Sequence, residues 1–167
     1  MRILCIGDIV GSIGVAAFGK KMPELRQKYS PDIIIVNGEN AGDGCSITAP
    51  NCGALFMFGA DVITGGNHSL YSRDMTEIYE REDGALRPAN LHPNAPGSGV
   101  FVYERGKYRC AVVCHTREDD TYPNSDICGA GIAWKLAEGL IGREAAKRYL
   151  PQAGIATMAD VVPLLGE

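Results

Sequence analysis

The stretch "PDIIIVNGEN", residues 31–40, decides the predicted fold. Its aliphatic residues, Ile33 to Val36, follow one another without a polar interruption, as in a strand buried on both faces of a parallel sheet. Two polar residues, Glu39 and Asn40, come soon after this strand. In parallel sheets ligands bind beyond the carboxyl ends of the strands, so the pair marks a candidate site.

Two other apolar runs end in the same way. The stretch "RILCIGD", residues 2–8, ends at Asp8, and "ADVITGGNH", residues 60–68, passes through two glycines to Asn67 and His68. Segments with apolar residues at helical spacing follow these strands, at 15–29, 48–59 and 72–82. The β-α-β-α-β-α order predicts an α/β fold with a three-stranded parallel sheet, and the polar clusters should share one rim of it.

The rest of the chain predicts a hairpin and a small helical segment. The stretch "VFVYERGKYRCAVV", residues 100–113, has two alternating runs around a glycine, which is typical of a hairpin, and we expect it to extend the core. A polar, turn-rich stretch then precedes two helical patterns, and Pro151 should end the second. We therefore predict an incomplete α/β domain at residues 1–113 and a separate segment at residues 114–167.

Composition narrows the class of protein. The net charge of −4, without a basic block, argues against a general nucleic-acid-binding surface. The six cysteines include no CxxC pair, so we expect reduced thiols in a cytoplasmic protein. The N-terminal stretch lacks the apolar core of a signal peptide, and no apolar run approaches the roughly 20 residues of a membrane span. We expect no membrane partner.

The polar residues at the strand ends suit metal-assisted phosphoryl chemistry. Asp8, Glu39 and Asn67 offer oxygen ligands of the kind that Mn, Fe, Zn or Mg accept, and a carboxylate can bridge two metal ions. His68, next to a ligand, can protonate a leaving oxygen as a general acid. Plainer interpretations stay open: Asp8 as a helix cap, Glu39 as a surface carboxylate, Asn67 as a turn residue and His68 as a solvated loop residue.

Several motifs occur in an order and spacing that resemble a known family. They are "MRILCIGDIVG" (1–11), "IIIVNGENA" (33–41), "DVITGGNH" (61–68) and "ALRPAN" (85–90). Over about residues 1–113 the chain looks like the YmdB family of calcineurin-like metallophosphoesterases, of which this would be half the fold. The resemblance implies a metal-dependent phosphodiesterase that acts on cyclic nucleotides, notably the 2',3'-cyclic type, or on a similar small phosphodiester.

The same resemblance implies individual roles. Asp8 would bind one metal ion, Asn67 a second, and Glu39 would bridge both, which gives a dinuclear divalent centre. His68 would be the general acid, and Asn40 would support the site beside them. The family completes its metal site with later histidines in a Gly-Thr-His-x-His motif, and this chain lacks that motif.

Two histidines remain. His92, in "NLHPNAPG", is interpreted as a loop residue, and His115 follows the hairpin closely enough to approach the site.

The last third resembles a different family. The stretches "REDDTYPNSDICGAGIAWKLAEGL" (117–140) and "YLPQAGIATMADVVPLLGE" (149–167) look like the DHH-family single-strand-specific exonuclease RecJ. The resemblance covers about residues 116–167 and implies a metal-binding role for Asp160. The family's DHH triplet and earlier aspartates are absent, so Asp160 alone would not form its site.

Three hypotheses follow for the function. The first is a metal-dependent phosphodiesterase, the second a fragment of a RecJ-like exonuclease of single-stranded DNA, and the third a non-catalytic, incomplete α/β domain. Nucleic acid would be a partner only through the RecJ-like segment. We also expect a homo-oligomer, because an incomplete sheet exposes an edge and apolar surface.

Overall fold

The computed structural model of the chain describes residues 1–42, 45–116, 126–159 and 162. The chain divides into two compact units, Met1–Cys114 and His115–Glu167. The first unit contains every strand that the structure describes, and the described part of the second is helical. The assignment of the two segments to separate domains of different ancestry stays a prediction.

The first unit alternates strands and helices over residues 3–86, and the strands of this part are parallel. In chain order the elements are β1 (Ile3–Ile6), α1 (Gly11–Tyr29), β2 (Ile33–Asn37), α2 (Ala49–Phe58), β3 (Val62–Thr64), α3 (Thr76–Glu80) and β4 (Ala85–Leu86). The strands lie in the order β1-β2-β3-β4, with Ile3 beside Ile33 and Ile35 beside Val62. The predicted α/β fold with a parallel sheet is confirmed.

The sheet has one strand more than the sequence predicted. β4 pairs Ala85 with Ile63 and Leu86 with Thr64. A two-residue strand has no measurable alternation of polar and apolar residues, so only its neighbours in space identify it. The prediction of three strands is therefore wrong, because the sheet also contains this short edge strand.

Consecutive residues of β2 contribute to two cores, one on each face of the sheet. Ile34 and Val36 pack with the helices, and Ile33 and Ile35 pack with the hairpin described next. The helix-side core also contains Phe18, Met22, Leu55, Met75 and Tyr79. Burial on both faces explains why Ile33 to Val36 are all aliphatic.

The hairpin consists of β5 (Val100–Arg105) and β6 (Tyr108–Val113), as predicted, and it forms a separate two-stranded sheet. It does not extend the parallel sheet edgewise but covers one face of it. The Tyr103 hydroxyl donates a hydrogen bond to Asp61 Oδ1 at 3.0 Å, which ties the hairpin to the loop before β3.

Hydrogen bonds with residues that flank helix α2 or lie far from it in the sequence fix both of its ends. The N–H of Ala49 donates to Asp74 Oδ2 at 2.9 Å, which satisfies one of the free donors at the helix N-terminus. Gly59, at φ 111°, closes the helix by donating to Leu55 O at 3.2 Å. The ends of α2 are thus fixed by a distant carboxylate and by a glycine in the left-handed region.

The second unit contains α4 (Gly129–Ile141), α5 (Arg143–Ala146) and α6 (Leu150–Ala159), with a 3-10 turn between the last two. The Trp134 indole N–H donates to Ala146 O at 2.9 Å, which joins α4 to α5. The prediction that Pro151 ends a helix is wrong. Pro151 lies in the first turn of α6, where its missing N–H leaves no helical hydrogen bond unmade. None of the helices in the described ranges is long and apolar enough to cross a membrane.

Candidate functional site

The site lies beyond the carboxyl ends of β1, β2 and β3, where backbone hydrogen bonds hold the three following loops together. The N–H of Ile9 donates to Asn37 O at 3.0 Å, and the N–H of Gly11 donates to Asn40 O at 2.8 Å. The N–H of Gly38 donates to Thr64 O at 3.0 Å. These bonds continue the pairing of the sheet past the strands and fix the positions from which the polar side chains project.

Asn40 connects two of the predicted site residues. Its Nδ2 donates to Asp8 Oδ2 at 2.8 Å, and its Oδ1 lies 2.9 Å from His68 Nδ1. Because the amide nitrogen is the donor to Asp8, the amide oxygen faces the imidazole and accepts from it. His68 therefore carries a proton on Nδ1.

Glu39 holds His68 from a second side. Its Oε1 accepts the backbone N–H of His68 at 3.2 Å and lies 3.3 Å from Nδ1 of the same residue. Both the peptide and the ring of His68 are thus oriented by one carboxylate. With Nδ1 facing two acceptors, Nε2 is the ring nitrogen left to exchange a proton with a bound molecule.

A side chain at either of the two glycines before Asn67 would overlap neighbouring atoms. A Cβ on Gly66 would lie 1.8 Å from Glu39 Oε2, and a Cβ on Gly65 would lie 1.9 Å from the Ser69 hydroxyl oxygen. Neither glycine has a positive φ, so the constraint is close approach and not backbone conformation. The backbone at Gly66 packs directly against the candidate bridging carboxylate.

Ser69 closes the turn that presents Asn67 and His68. It is fully buried, its Oγ accepts the N–H of Gly66 at 2.9 Å, and it donates to Gly66 O at 2.7 Å. Sequence reasoning missed this residue. The sequence pattern that could have identified it is a serine three residues after a glycine in a tight turn. From this position a hydroxyl commonly forms a hydrogen bond with the backbone.

Two buried ionisable groups of this unit are unsuited to chemistry at neutral pH. Burial raises the pKa of the Cys114 thiol to about 11, and its Sγ donates to Gly65 O at 3.4 Å. Burial also raises the pKa of the Tyr79 phenol. Both groups stay protonated, so the thiol supports the loop before Asn67 and does not act as a nucleophile.

The structure brings together Asp8, Glu39, Asn40 and His68 through direct hydrogen bonds, and Asn67 lies in the same turn as His68. His92 lies in a turn of its own, where its Nδ1 accepts the N–H of Asn94 at 3.2 Å, in agreement with its interpretation as a loop residue.

The sequence also singled out Asp160 and His115. Asp160 is outside the described residues, so its role stays a prediction. His115 is the first residue of the second unit, and its approach to the site stays a prediction as well.

The donor atoms fit a hard divalent cation. Carboxylate oxygens of Asp8 and Glu39 and the amide oxygen of Asn67 come from three neighbouring loops, and such oxygens are the ligands that Mg, Mn and similar ions accept. Within the described ranges, no group of three or more His, Cys, Asp or Glu side chains is close enough to hold a metal ion. These residues do not by themselves form the dinuclear centre that the resemblance implies, and their binding of a metal ion stays a prediction.

Comparison with known proteins bears on both parts of the chain. The family described as "YmdB-like protein" matches residues 4–123. A Bacillus subtilis protein named 2',3'-cyclic-nucleotide 2'-phosphodiesterase is 40% identical over 108 residues, which cover 64% of this chain and 41% of that protein. The chain therefore spans about two fifths of the length of that relative.

A solved structure and a second relative complete the comparison. The crystal structure of a Mycoplasma pneumoniae protein described as a novel phosphatase superposes with a TM-score of 0.66 at 25% identity, covering 81% of this chain and 50% of that one. The single-stranded-DNA-specific exonuclease RecJ of Bacillus subtilis is 42% identical over 57 residues, which are 34% of this chain and 7% of that protein.

Proposed function

We propose that this chain, which belongs to the YmdB-like protein family, is built for the metal-dependent hydrolysis of a phosphodiester such as a 2',3'-cyclic nucleotide. The observation that carries the proposal is the hydrogen-bonded series Asp8–Asn40–His68–Glu39 at one rim of a parallel sheet. The name of the Bacillus subtilis relative supports the reaction class. Because the chain spans less than half of that relative, its activity and its substrate are both part of the proposal.

Each side chain has a distinct task in this reaction. Asp8, Glu39 and Asn67 would hold the divalent cation, which when bound polarises the phosphoryl group as a Lewis acid. The acceptors on Nδ1 of His68 keep its ring oriented, so that the ring, when it carries protons on both nitrogens, donates the Nε2 proton to the leaving oxygen and keeps the proton on Nδ1. Asn40 positions this ring and also holds the carboxylate of Asp8 by its amide.

Two measurements on the purified chain test the proposal. Elemental mass spectrometry should find divalent metal that is lost in Asp8→Asn and Glu39→Gln but kept in His68→Ala. Hydrolysis of a 2',3'-cyclic nucleotide and of bis(p-nitrophenyl) phosphate should fall about 100-fold or more in His68→Ala, the usual contribution of a general acid.

His92→Ala is the matched control, since it removes an exposed imidazole that belongs to a separate turn. It should leave metal content and rate unchanged. Metal content that is indifferent to both Asp8→Asn and Glu39→Gln would contradict the proposed site. A rate that falls equally in His92→Ala and His68→Ala would contradict the role of the general acid.

A non-catalytic role is the second candidate, and one observation favours it. The described residues contain no group of three or more metal-binding side chains, so the site offers few ligands for two ions. In that case the protein would take up metal weakly and would hydrolyse neither substrate, while Glu39→Gln would still weaken the uptake.

For residues 114–167 we propose common ancestry with RecJ, because their motifs resemble that family and RecJ is 42% identical to this chain over 57 residues. A nuclease activity of this segment would depend on Asp160. Metal-dependent degradation of a single-stranded oligonucleotide that is lost in Asp160→Ala would favour it, and an oligonucleotide left intact would exclude it.

The remaining expectations about partners and location stay predictions. Among the described strands β1 pairs with β2 alone, so self-association through the other edge of β1 is the arrangement to test by light scattering at several concentrations. The cytoplasmic location expected from the cysteines also stays a prediction.

A further inference from the structure

Tyr71 lies beside the candidate general acid and takes no part in the steps described above. Its ring centroid is 5.1 Å from that of the His68 imidazole, and the two rings are inclined by 54°. The backbone holds it there, because the N–H of Tyr71 donates to His68 O at 3.2 Å and closes a turn. The position of the ring is thus set by the same turn that carries the reacting group.

The ring is open to solvent. Tyr71 is 63% exposed, and the residue before it, Leu70, is 39% exposed. An exposed aromatic ring therefore lies next to the imidazole that would act on a phosphate. A small polar phosphate makes no use of such a surface, whereas a flat aromatic group does.

We propose that the ring of Tyr71 is a stacking platform for the base of a nucleotide, which adds a base-binding residue to the site. The inference rests on the proposed phosphodiesterase function and deepens it. In a nucleotide one sugar separates the base from the phosphate, and the ring centroids of Tyr71 and His68 are 5.1 Å apart, so one nucleotide is long enough to contact Tyr71 with its base and the imidazole with its phosphate. Stacking on an aromatic side chain accepts any base, so the platform would favour nucleotides over other phosphodiesters without selecting one base.

A different role for the same contact makes a different prediction. If Tyr71 only packed against His68 to orient it, loss of the ring would slow the hydrolysis of every phosphodiester equally. If it binds the base, loss of the ring would affect only substrates that have one. A matched pair of substrates, with and without a base, separates these roles.

The experiment compares adenosine 2',3'-cyclic monophosphate with glycerol 1,2-cyclic phosphate, which has no base. Tyr71→Leu should raise KM for the nucleotide about tenfold with kcat little changed, and should leave both constants for the glycerol ester unchanged. Tyr71→Phe keeps the ring and should behave as the unaltered protein. Equal losses on both substrates, or no effect on either, would overturn the proposal.

Tyr29→Leu is the control for removing an exposed tyrosine. Tyr29 is 44% exposed and ends α1, so it lies at the end of the sheet opposite the site. It should change neither substrate's constants.

A binding measurement separates failure of this inference from failure of the proposed function. If the protein hydrolyses neither ester, the proposed activity is wrong. Calorimetric titration with adenosine 3'-monophosphate and with inorganic phosphate still tests the platform. Tyr71→Leu should weaken binding of the nucleotide about tenfold and leave binding of phosphate unchanged. Equal affinity of both proteins for the nucleotide would contradict the stacking role.

Discussion

At the scale of single residues, the turn that carries Asn67 and His68 depends on a serine that does no chemistry. We expect Ser69→Ala to lower the free energy of unfolding by about 1–3 kcal/mol, because it leaves the buried N–H of Gly66 without its partner, while the Gly66 carbonyl keeps only its bond from the Ser69 N–H. Hydrolysis should fall as well, since His68 loses its fixed position. Urea unfolding and the rate on a 2',3'-cyclic nucleotide are the measurements.

Ser98→Ala is the matched control for that substitution. The Ser98 hydroxyl makes the same pair of hydrogen bonds, donating to Val100 O at 2.8 Å and accepting its N–H at 3.0 Å, but in an exposed loop before the hairpin. Activity should survive in Ser98→Ala. If both alanine variants lose activity alike, Ser69 has no special role in presenting His68.

Gly66 makes a second prediction at this scale. A methyl group there would overlap the carboxylate of Glu39, so Gly66→Ala should displace Glu39 and reduce metal uptake. Gly53→Ala is the control, because Gly53 is helical and its added methyl group meets open space. That control should gain up to about 1 kcal/mol in stability from helix propensity alone. Metal uptake unchanged in Gly66→Ala would contradict the packing of Glu39 against Gly66.

Buried thiols should make the protein sensitive to alkali. Burial raises the pKa of Cys52 from 9.0 to about 12 and that of Cys114 from 9.0 to about 11. Because these pKa values are raised in the folded state, their contribution to stability is complete below pH 9 and is lost as the pH rises towards 11 and 12. Urea midpoints at pH 8 and pH 10 should therefore differ, and the difference should shrink in Cys52→Val. A midpoint equally pH-dependent in both proteins would assign the loss to other groups.

At the scale of elements, the hairpin is attached to the sheet by apolar packing and by polar contacts, which include Tyr103 with Asp61 and Arg105 with Asp32 O at 3.1 Å. We expect Tyr103→Phe to cost about 1 kcal/mol, since it removes the hydrogen bond to Asp61 while keeping the ring. Tyr108→Phe removes a hydroxyl from the same hairpin without that bond and should cost less. Equal urea midpoints for the two variants would show that the contact with Asp61 adds nothing.

The elements also show what the sequence could and could not predict. The uninterrupted run Ile33 to Val36 identified a strand buried on both faces, and the polar residues after three strands identified the rim that bears the site. β4 escaped prediction because two residues carry no periodicity. The separate sheet of the hairpin escaped because pairing between distant segments is decided by packing and not by local pattern. For the same reason the hydrogen bonds of Asn40 and Ser69 could not be derived from spacing.

At the scale of the whole molecule, the two units differ in how much apolar surface they bury. The helices of the first unit bury large side chains such as Leu55 and Met22, whereas Ala146 is the one buried residue within α4, α5 and α6 as described. Burial of apolar area is the main source of stability, so the second unit should unfold first.

Fluorescence can follow that unit alone, because Trp134 is the single tryptophan of the chain. Its emission should change at lower urea than the circular dichroism of the whole protein. Leu55→Ala should lower the unfolding free energy of the first unit by about 2–5 kcal/mol, so its transition should move to lower urea. The transition followed by tryptophan fluorescence should not move. Coincident transitions that move together in Leu55→Ala would mean that the chain unfolds as one unit.

The bond between Gly38 and Thr64 has a consequence for the chemical ageing of the protein. An asparagine followed by glycine is the pair most prone to deamidate, because the glycine nitrogen can attack the asparagine side chain and close a succinimide ring. Here that nitrogen donates to Thr64 O and the Asn37 amide oxygen accepts the N–H of Glu39, so neither group is free to react. Asn37 should therefore deamidate only in unfolded chains. The fraction of chains that have gained one dalton at Asn37 should increase with the time that a stored sample has spent unfolded.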